Sequence, residues 1–133
     1  MRLTSRSEYA LLALIHLARQ PDDAFVPVRS IAEAQGIPPL FLEQILLTLK
    51  RSRHVASQKG QHGGYRLARP AEKITLAEVV RLFDGALAPS DSASKHFHES
   101  TPIEKEKKVL RLLKQIRDYV SDTLEGTTIA DVR

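Results

Sequence analysis

The sequence predicts a mostly α-helical protein with one short, two-stranded β-hairpin. Through most of the 133 residues, apolar side chains recur at intervals of three and four, the spacing of an amphipathic helix. With no Trp and 5% aromatic residues, the core must be built mainly from aliphatic side chains, which favours helices. The stretch Lys59–Leu67 has three glycines within five residues. Because β-forming residues flank those glycines, the stretch is typical of a hairpin tip.

The first predicted helix lies at the amino terminus and ends near Arg19, before Pro21. Thr4 or Ser5 can cap it, and Glu8 is placed to complete a capping box with Ser5. Apolar residues cover nearly its whole circumference, so the helix is expected to be buried on more than one side. We therefore expect it to contact a partner subunit as well as its own domain.

Two short helices joined by a glycine are predicted next, and this arrangement is a helix-turn-helix. Val28–Gln35 forms the first, with Ile31 and Ala34 facing inward and Gly36 ending it. The second begins at Pro38-Pro39, because proline is tolerated in a first helical turn. Its predicted buried stripe is Leu42, Ile45, Leu46 and Leu49.

Strands Val55–Lys59 and Gly64–Ala68 follow directly and are predicted to form the wing of a winged helix-turn-helix. The fourth predicted helix is Ile74–Phe83, capped by Thr75 and stopped by Gly85. Residues 1–85 are therefore expected to form one winged helix-turn-helix domain.

The rest of the chain is expected to serve assembly. Residues 86–102 have little periodicity and are predicted to be a loop. Ile103–Leu124 predicts the longest helix, and its apolar spacing of about 3.5 residues resembles a short coiled-coil seam. Residues 103–133 are thus expected to be a dimerisation helix and a tail, with Gly126 ending the helix and Thr127 or Thr128 available as a cap for a final short turn. The predicted seam is Val109, Leu112, Leu113, Ile116, Tyr119, Val120 and Leu124.

Charge is distributed unevenly along the chain. Residues 1–70 hold ten Lys/Arg against five Asp/Glu, whereas residues 71–133 hold ten against eleven. A basic front half fits a nucleic-acid reader with a separate assembly segment. The longest apolar run near the amino terminus is too short to span a bilayer, which predicts a cytoplasmic protein without a membrane partner. No nucleophile elbow or phosphate loop is present, so no enzymatic activity is expected.

Six short motifs along the chain, taken in chain order, together resemble those of the IscR/NsrR/CymR-type family of bacterial winged-helix transcription regulators. The resemblance runs from Met1 to the carboxyl terminus. It implies a homodimer that is held by the long helices and binds a pseudo-palindromic operator. The motifs are Arg2-Leu3-Thr4-Ser5, Tyr9-Ala10-Leu11, Ile31-Ala32-Glu33, Phe41-Leu42-Glu43-Gln44-Ile45-Leu46, Lys59-Gly60 with Gly63-Gly64-Tyr65, and Thr127-Thr128-Ile129-Ala130-Asp131-Val132.

The predicted DNA contacts lie on the third helix and on the wing. Gln44 can pair with adenine and Glu43 can accept from cytosine, while Thr48 and Leu40 suit a thymine methyl group. Arg51, together with the neighbouring Arg53, is expected to meet phosphates. Lys59 is expected to reach the minor groove. His54 and His62 lie near the same predicted face, where they either contribute to binding or have no role. The predicted wing contacts are Lys59, Gly60, Gln61, His62 and Tyr65.

The segment between the fourth and long helices departs from the family pattern. Relatives that sense iron, nitric oxide or redox state hold an iron–sulfur cluster there on three cysteines. This chain has no cysteine, and such clusters require thiolates, so no cofactor is expected. His96, His98 and Glu99 are side chains of the kind that bind zinc or iron, but alternate loop histidines are more often solvated.

The sequence thus predicts a homodimeric, sequence-specific DNA-binding regulator, acting as a repressor without a cluster. The alternative is a winged-helix module that docks a partner protein through the long helix or the 86–102 loop. Steep salt dependence of duplex binding would distinguish the two functions. The effector is left open between a small ligand, a protein partner and none.

Overall fold

The computed structural model describes residues 2–95 and 98–133. It confirms the predicted fold class, since the described residues form helices around one two-stranded antiparallel sheet. Short 3-10 turns lie at Ala71–Lys73, Asp91–Ala93 and Pro102–Lys105. None of the described helices is long and apolar enough to cross a membrane. In chain order, the elements are α1 (Ser5–Ala18), α2 (Val28–Gln35), α3 (Pro39–Arg51), β1 (Val55–Gln58), β2 (Gly64–Leu67), α4 (Leu76–Asp84), α5 (Lys107–Glu125) and α6 (Ile129–Val132).

Helix α1 is the centre of the fold. It contacts α2, α3, α4, α6 and β2, so its all-round apolar surface is largely covered within this chain. The predicted capping box of Ser5 with Glu8 is wrong: Thr4 is the N-cap, and its hydroxyl accepts from the Ser7 amide at 3.5 Å. Asp84 at the end of α4 fixes Thr4, accepting from its amide at 3.0 Å and its hydroxyl at 2.5 Å.

The helix-turn-helix is formed by α2, which has the predicted bounds, and α3, which begins at Pro39 within the predicted Pro38-Pro39 start. Gly36 adopts φ 67° between them, a left-handed conformation that costs glycine little. The predicted stripe of α3 is buried, with Leu42, Ile45, Leu46 and Leu49 all at 0% exposure. In α2 the inward pair is Ile31 and Ala32. The prediction for Ala34 was wrong because that side chain is exposed, three residues beyond Ile31 but on the solvent edge of the helix.

The hairpin is confirmed, and each strand is one residue shorter than predicted. Val55 pairs with Leu67 and Gln58 with Gly64. Val26, which precedes α2, forms a further antiparallel bridge with Tyr65. The Val26 amide donates to the Tyr65 carbonyl at 2.7 Å, and the Tyr65 amide donates back at 2.8 Å. The base of the wing is therefore fixed to the segment that leads into the helix-turn-helix.

Helix α4 begins two residues later than predicted, because Ile74 is extended and buried. Thr75 is the N-cap and forms a capping box with Glu78, and Gly85 ends the helix. The carboxyl-terminal residues return to this point: the Leu76 amide donates to Thr127 at 2.9 Å, and the Ile129 amide donates to Ile74 at 2.9 Å. Of the two threonines predicted to cap the final turn, Thr128 is the N-cap of α6, and it forms a second capping box with Asp131. Ile129, at 0% exposure, anchors the tail in the core.

The segment after α4 is partly buried. Leu87, Ser92, Ala93 and Ser94 are buried, and the Asp91–Ala93 turn packs against α5. Arg117 of α5 donates to the Ala93 carbonyl at 3.0 Å. The predicted start of the long helix at Ile103 was wrong: Pro102–Lys105 forms a 3-10 turn, and α5 begins at Lys107.

Candidate nucleic-acid interface

The face of α3 opposite its buried stripe is available to a ligand. Glu43, Gln44 and Arg51 are exposed, and Thr48 is half-buried. The Thr48 hydroxyl donates to the Gln44 carbonyl at 3.2 Å, so its methyl group is the part left to face a partner. Leu40, in the first turn, is 79% exposed. An apolar side chain with that exposure on a polar helix face suits contact with a thymine methyl group.

Several cations around this face have no acidic partner. Within residues 2–95 and 98–133, no ion pair involves Lys50, Arg51, Arg53 or Lys59. Elsewhere, by contrast, Arg81, Arg117 and Arg133 all pair with carboxylates. Cations without internal partners are free to neutralise phosphates, which is the main source of affinity for DNA.

The tip of the wing projects its side chains into solvent. Lys59, Gly60, Gln61 and His62 are exposed, and the Gly63 amide closes the turn on the Gly60 carbonyl at 3.0 Å. Gly60 adopts φ 103°, a backbone conformation that L residues rarely adopt. The glycines thus permit a narrow tip that carries one lysine and one histidine.

Gly64 is required by close approach as well as by backbone angle. Its φ is 147°, and a Cβ added there would lie 2.2 Å from the Val26 carbonyl oxygen. The Gly-Gly pair that stood out in the sequence therefore lets the wing cross directly over the strand-like segment before α2.

Tyr65 differs from the other predicted wing contacts because it is half-buried and packs against the hydrophobic core. Burial, with a smaller contribution from the Glu43 carboxylate, raises the pKa of Tyr65. The hydroxyl stays protonated at neutral pH and can donate a hydrogen bond.

A hydrogen-bonded cluster that the sequence did not reveal lies at the base of the wing, between the end of α3 and the start of α4. His54, expected near the DNA face either as a contributor or without a role, is only 6% exposed, so its side chain lies inside the protein. Its Nδ1 lies 2.7 Å from the Ser52 hydroxyl, and its Nε2 lies 2.7 Å from Glu78 Oε1. Arg69 also donates to Glu78. The cluster therefore joins the end of α3, both ends of the wing and the start of α4.

The charge of Glu78 is stabilised within this cluster. Burial alone would raise the pKa of the Glu78 carboxyl, but hydrogen bonds from Arg69, His54 and Thr75 outweigh it and lower the pKa. Glu78 thus remains anionic at neutral pH. The sequence offered only its capping-box spacing as a signal, since His54 and Arg69 lie 24 and 9 residues away from it.

Two further arginines belong to this region and were not singled out from the sequence. Arg29, in the first turn of α2, has an 88% exposed side chain and only a loose ion pair with Glu33 at 3.8 Å. The first helix of a helix-turn-helix crosses the DNA backbone. The place of Arg29 on that helix was therefore the feature of the sequence that could have marked it as a phosphate contact. Arg66 of β2 lies over the Phe25 ring, 4.5 Å from its centroid, which holds its guanidinium beside the wing.

The segment that corresponds to the family's cluster-binding loop contains no cysteine. The Ser92 hydroxyl donates to the Glu99 carbonyl at 3.1 Å and lies 2.6 Å from the Thr101 hydroxyl. His98 pairs with Glu104 at 2.9 Å, and His96 lies outside the described residues. No group of three metal-binding side chains occurs in the described ranges. Because cluster iron requires thiolates and the chain has none, this segment does not fit an iron–sulfur cluster.

The long helix divides the predicted seam into two faces. Leu113, Val120 and Leu124 are half-buried against the rest of the chain. The outer face of α5 carries an unpartnered apolar stripe with spacings of three, four and three residues, as in the a and d positions of a coiled coil. This stripe consists of Val109 (42% exposed), Leu112 (55%), Ile116 (40%) and Tyr119 (76%).

Relatives share this architecture along nearly the whole chain. The family model described as "Rrf2: Iron-dependent Transcriptional regulator" matches residues 3–133. A Mycobacterium tuberculosis protein named as an HTH-type transcriptional regulator is 41% identical over 133 residues, covering 99% of this chain and 81% of the relative. HTH-type transcriptional regulator CymR of Bacillus subtilis is 27% identical over 132 residues, covering 99% and 89%.

Solved structures agree with this relationship. The structure of B. subtilis CymR, titled the global cysteine regulator, matches with a TM-score of 0.78 at 26% identity, covering 99% of this chain and 95% of that one. Staphylococcus aureus CymR gives a TM-score of 0.73 at 29% identity, covering 97% and 95%. These relatives are transcription regulators rather than enzymes. Together with the helix-turn-helix and wing, the matches confirm the family resemblance: the chain belongs to the Rrf2 family of winged-helix transcriptional regulators.

Proposed function

We propose that this protein is a homodimeric regulator that binds a pseudo-palindromic operator in the bacterial cytoplasm and represses transcription without an iron–sulfur cluster. The observation that carries the proposal is the exposed polar face of α3 beside a narrow wing and a group of unpaired cations. A helix face of this kind fits the major groove, and a cationic hairpin reaches the neighbouring backbone or minor groove.

The two parts of the interface would have different roles. Gln44 would pair with adenine and Glu43 would accept from cytosine, whereas Leu40 and the Thr48 methyl group would contact thymine. Arg51 and Arg53 would bind phosphates and set the position of α3. At the wing, Lys59, Gln61 and His62 would contact the adjacent groove, with the Gly60 amide close to the backbone and Tyr65 supporting the strand from below.

The homodimer is supported by the apolar stripe of α5. Isolated apolar side chains on a surface are ordinary, but a stripe at coiled-coil spacing fits a second copy of the same helix. Two-fold symmetry then places two α3 helices about one turn of DNA, roughly 34–36 Å, apart. The domain boundaries proposed from sequence follow: residues 1–85 read DNA, residues 103–133 dimerise, and residues 86–102 connect them.

Repression follows most simply if the dimer occupies promoter DNA and blocks transcription from it. The segment that corresponds to the family's cluster-binding loop has no thiolate in this chain. Its own hydrogen bonds, centred on Ser92, would hold it in place instead. Any signal would come from a small molecule or a protein partner.

The test is selection of bound sequences from random duplex DNA by purified, metal-free protein, repeated at two salt concentrations. Enrichment of a two-fold symmetric motif, with affinity that falls steeply as salt rises, is the expected result. If the protein binds only weakly and without sequence preference in both conditions, then cluster-independent sequence recognition is wrong. The protein-docking function of the winged helix would then be favoured.

A further inference from the structure

A cleft lies on the side of the molecule where α4 and α5 meet. Its volume is about 660 Å³, within the range of sites that hold small organic molecules. The amino-terminal segment, the end of α4, the segment after α4 and the last turns of α5 form its walls. The lining residues used below are Leu3, Val80, Asp84, Asp91, Glu99 and Leu124.

The chemistry of the cleft is apolar inside and acidic at the rim. Leu3, Val80 and Leu124 supply apolar wall, which favours a hydrophobic ligand body. Three carboxylates surround it against a single arginine, Arg2. This net negative rim sits on a protein whose formal net charge is +4, so it is a local reversal of the overall charge.

Two of the three carboxylates are free to meet a ligand. Asp84 is already hydrogen-bonded to Thr4. The Asp91 and Glu99 carboxylates, in contrast, take part in none of the ion pairs or side-chain hydrogen bonds found among the described residues. A ligand with a positive group at one end would complement them, whereas an anionic ligand of the same shape would be repelled.

We propose that this cleft binds a small organic cation with an apolar body, such as a hydrophobic amine, and that its occupancy changes the affinity for DNA. The second half of this inference rests on the proposed DNA-binding function, while the first half does not. Helix α4 connects the two sites: Asp84 lies at the cleft, and Glu78, two turns away, is bonded to His54 and Arg69 at the base of the wing.

The same helix is also fixed to α5 midway along its length. Arg81 donates to the Ser121 hydroxyl at 3.2 Å and to the Glu125 carboxylate at 2.5 Å. A ligand inserted between α4 and α5 would therefore bear on a helix whose other end supports the wing. Coupling between two sites requires such a shared element, whose position both of them influence.

The experiment uses hexylammonium as the probe, with hexanoate and hexan-1-ol as matched compounds of opposite and zero charge. Isothermal titration calorimetry on the full chain is expected to show saturable binding of hexylammonium only. Replacing both free carboxylates (Asp91→Asn with Glu99→Gln) should weaken that binding about fivefold. The control Glu106→Gln, an exposed carboxylate outside the cleft, should leave it unchanged.

Equal binding of all three compounds, or of none, would overturn the ligand assignment. A hexylammonium affinity unaffected by the double substitution would overturn it as well. Titration of operator DNA with and without the saturating amine then tests the coupling, where a change of at least fivefold in DNA affinity is expected. An unchanged DNA affinity would overturn the coupling alone. Failure of the protein to bind any operator would instead count against the proposed function, and the calorimetry distinguishes the two failures.

Discussion

The substitution Glu78→Gln tests whether the hydrogen-bonded cluster of Ser52, His54, Arg69 and Glu78 stabilises the winged helix-turn-helix. Glutamine keeps the size of the side chain and can still serve in a capping box. It removes the negative charge that Arg69 and His54 share. The substitution therefore isolates the charge-assisted part of the interaction from the helix cap.

The expected loss follows from the contacts. A hydrogen bond to a charged group contributes about 1.5–3 kcal/mol to the free energy of unfolding. Glu78 accepts from two such partners, but its side chain is 32% exposed and glutamine still accepts one bond, so we expect a loss of about 2 kcal/mol. Glu78→Ala, which also removes the capping box, should cost about 1 kcal/mol more. Urea unfolding followed by circular dichroism at pH 7 measures both.

The same substitution has a defined pH dependence. Hydrogen bonds lower the folded-state pKa of Glu78 below the ordinary 4.5, so its contribution is complete above that pH. It is lost as the pH falls through the folded-state pKa. The difference in unfolding free energy between wild type and Glu78→Gln should therefore shrink below pH 4.5. A difference that stays constant into that range would refute the role given to the charge.

Glu72→Gln is the matched control, because Glu72 makes only an exposed pair with Arg133 at 3.4 Å. Exposed pairs contribute about 0–1 kcal/mol, so this substitution should change the free energy of unfolding by less than about 0.5 kcal/mol. If Glu72→Gln and Glu78→Gln lower the free energy of unfolding equally, the partly buried cluster contributes no more to stability than an exposed ion pair does.

Three further predictions concern the wing and the proposed dimer. Lys59→Ala should lower the slope of log affinity against log salt concentration by about 1, as measured by fluorescence anisotropy with operator DNA. Its oligomeric state should stay that of wild type, and the control Lys105→Ala should match wild type in both measurements. An unchanged slope would contradict the wing assignment. Leu112→Asp should convert the dimer to a monomer in analytical ultracentrifugation, since a carboxylate would face its symmetry mate in the apolar stripe; a persistent dimer would exclude this stripe as the interface. Gly64→Ala should lower the free energy of unfolding by about 2–3 kcal/mol, because the added Cβ would collide with the Val26 carbonyl. If the variant unfolds in urea at the same concentration as wild type, the close approach of the wing to Val26 is wrong.

Elements with strong local signals could be predicted from the sequence. Gly36 and Gly85 end helices where expected, and Thr75 and Thr128 form capping boxes. These features depend on neighbouring residues alone, so a single sequence contains them. The Gly-Gly pair likewise marked the wing, although the reason for Gly64, close approach to Val26, needed the structure.

Long-range packing accounts for what was missed. The 86–102 segment has no periodicity, yet Ser92 and Ala93 are buried because α5 packs over them. From the sequence, His54 could be placed only near the predicted DNA face, and only the packing of α4 against the wing shows that it is hydrogen-bonded to Glu78. Contacts between residues so far apart in the chain leave no pattern in either local stretch.

For the candidate DNA contacts as well, the sequence predicts one property, exposure, but not another, the base that each side chain contacts. Exposure of Gln44 and burial of Leu42 follow from helical periodicity, and the structure has both. Which base each exposed side chain contacts depends on how the proposed dimer is positioned on DNA, and that geometry involves a second chain. Those base contacts remain predictions.

The central claim is that α3 reads bases while the cations around it hold the backbone. The most direct measurement compares Gln44→Ala with Arg51→Ala on the selected operator and on operators changed at single base pairs. Gln44→Ala should erase discrimination of about 1–3 kcal/mol at one adenine position, whereas Arg51→Ala should weaken binding to all the sequences by a similar factor. If Gln44→Ala instead retains full discrimination at every position, α3 is not the recognition helix and the account is wrong.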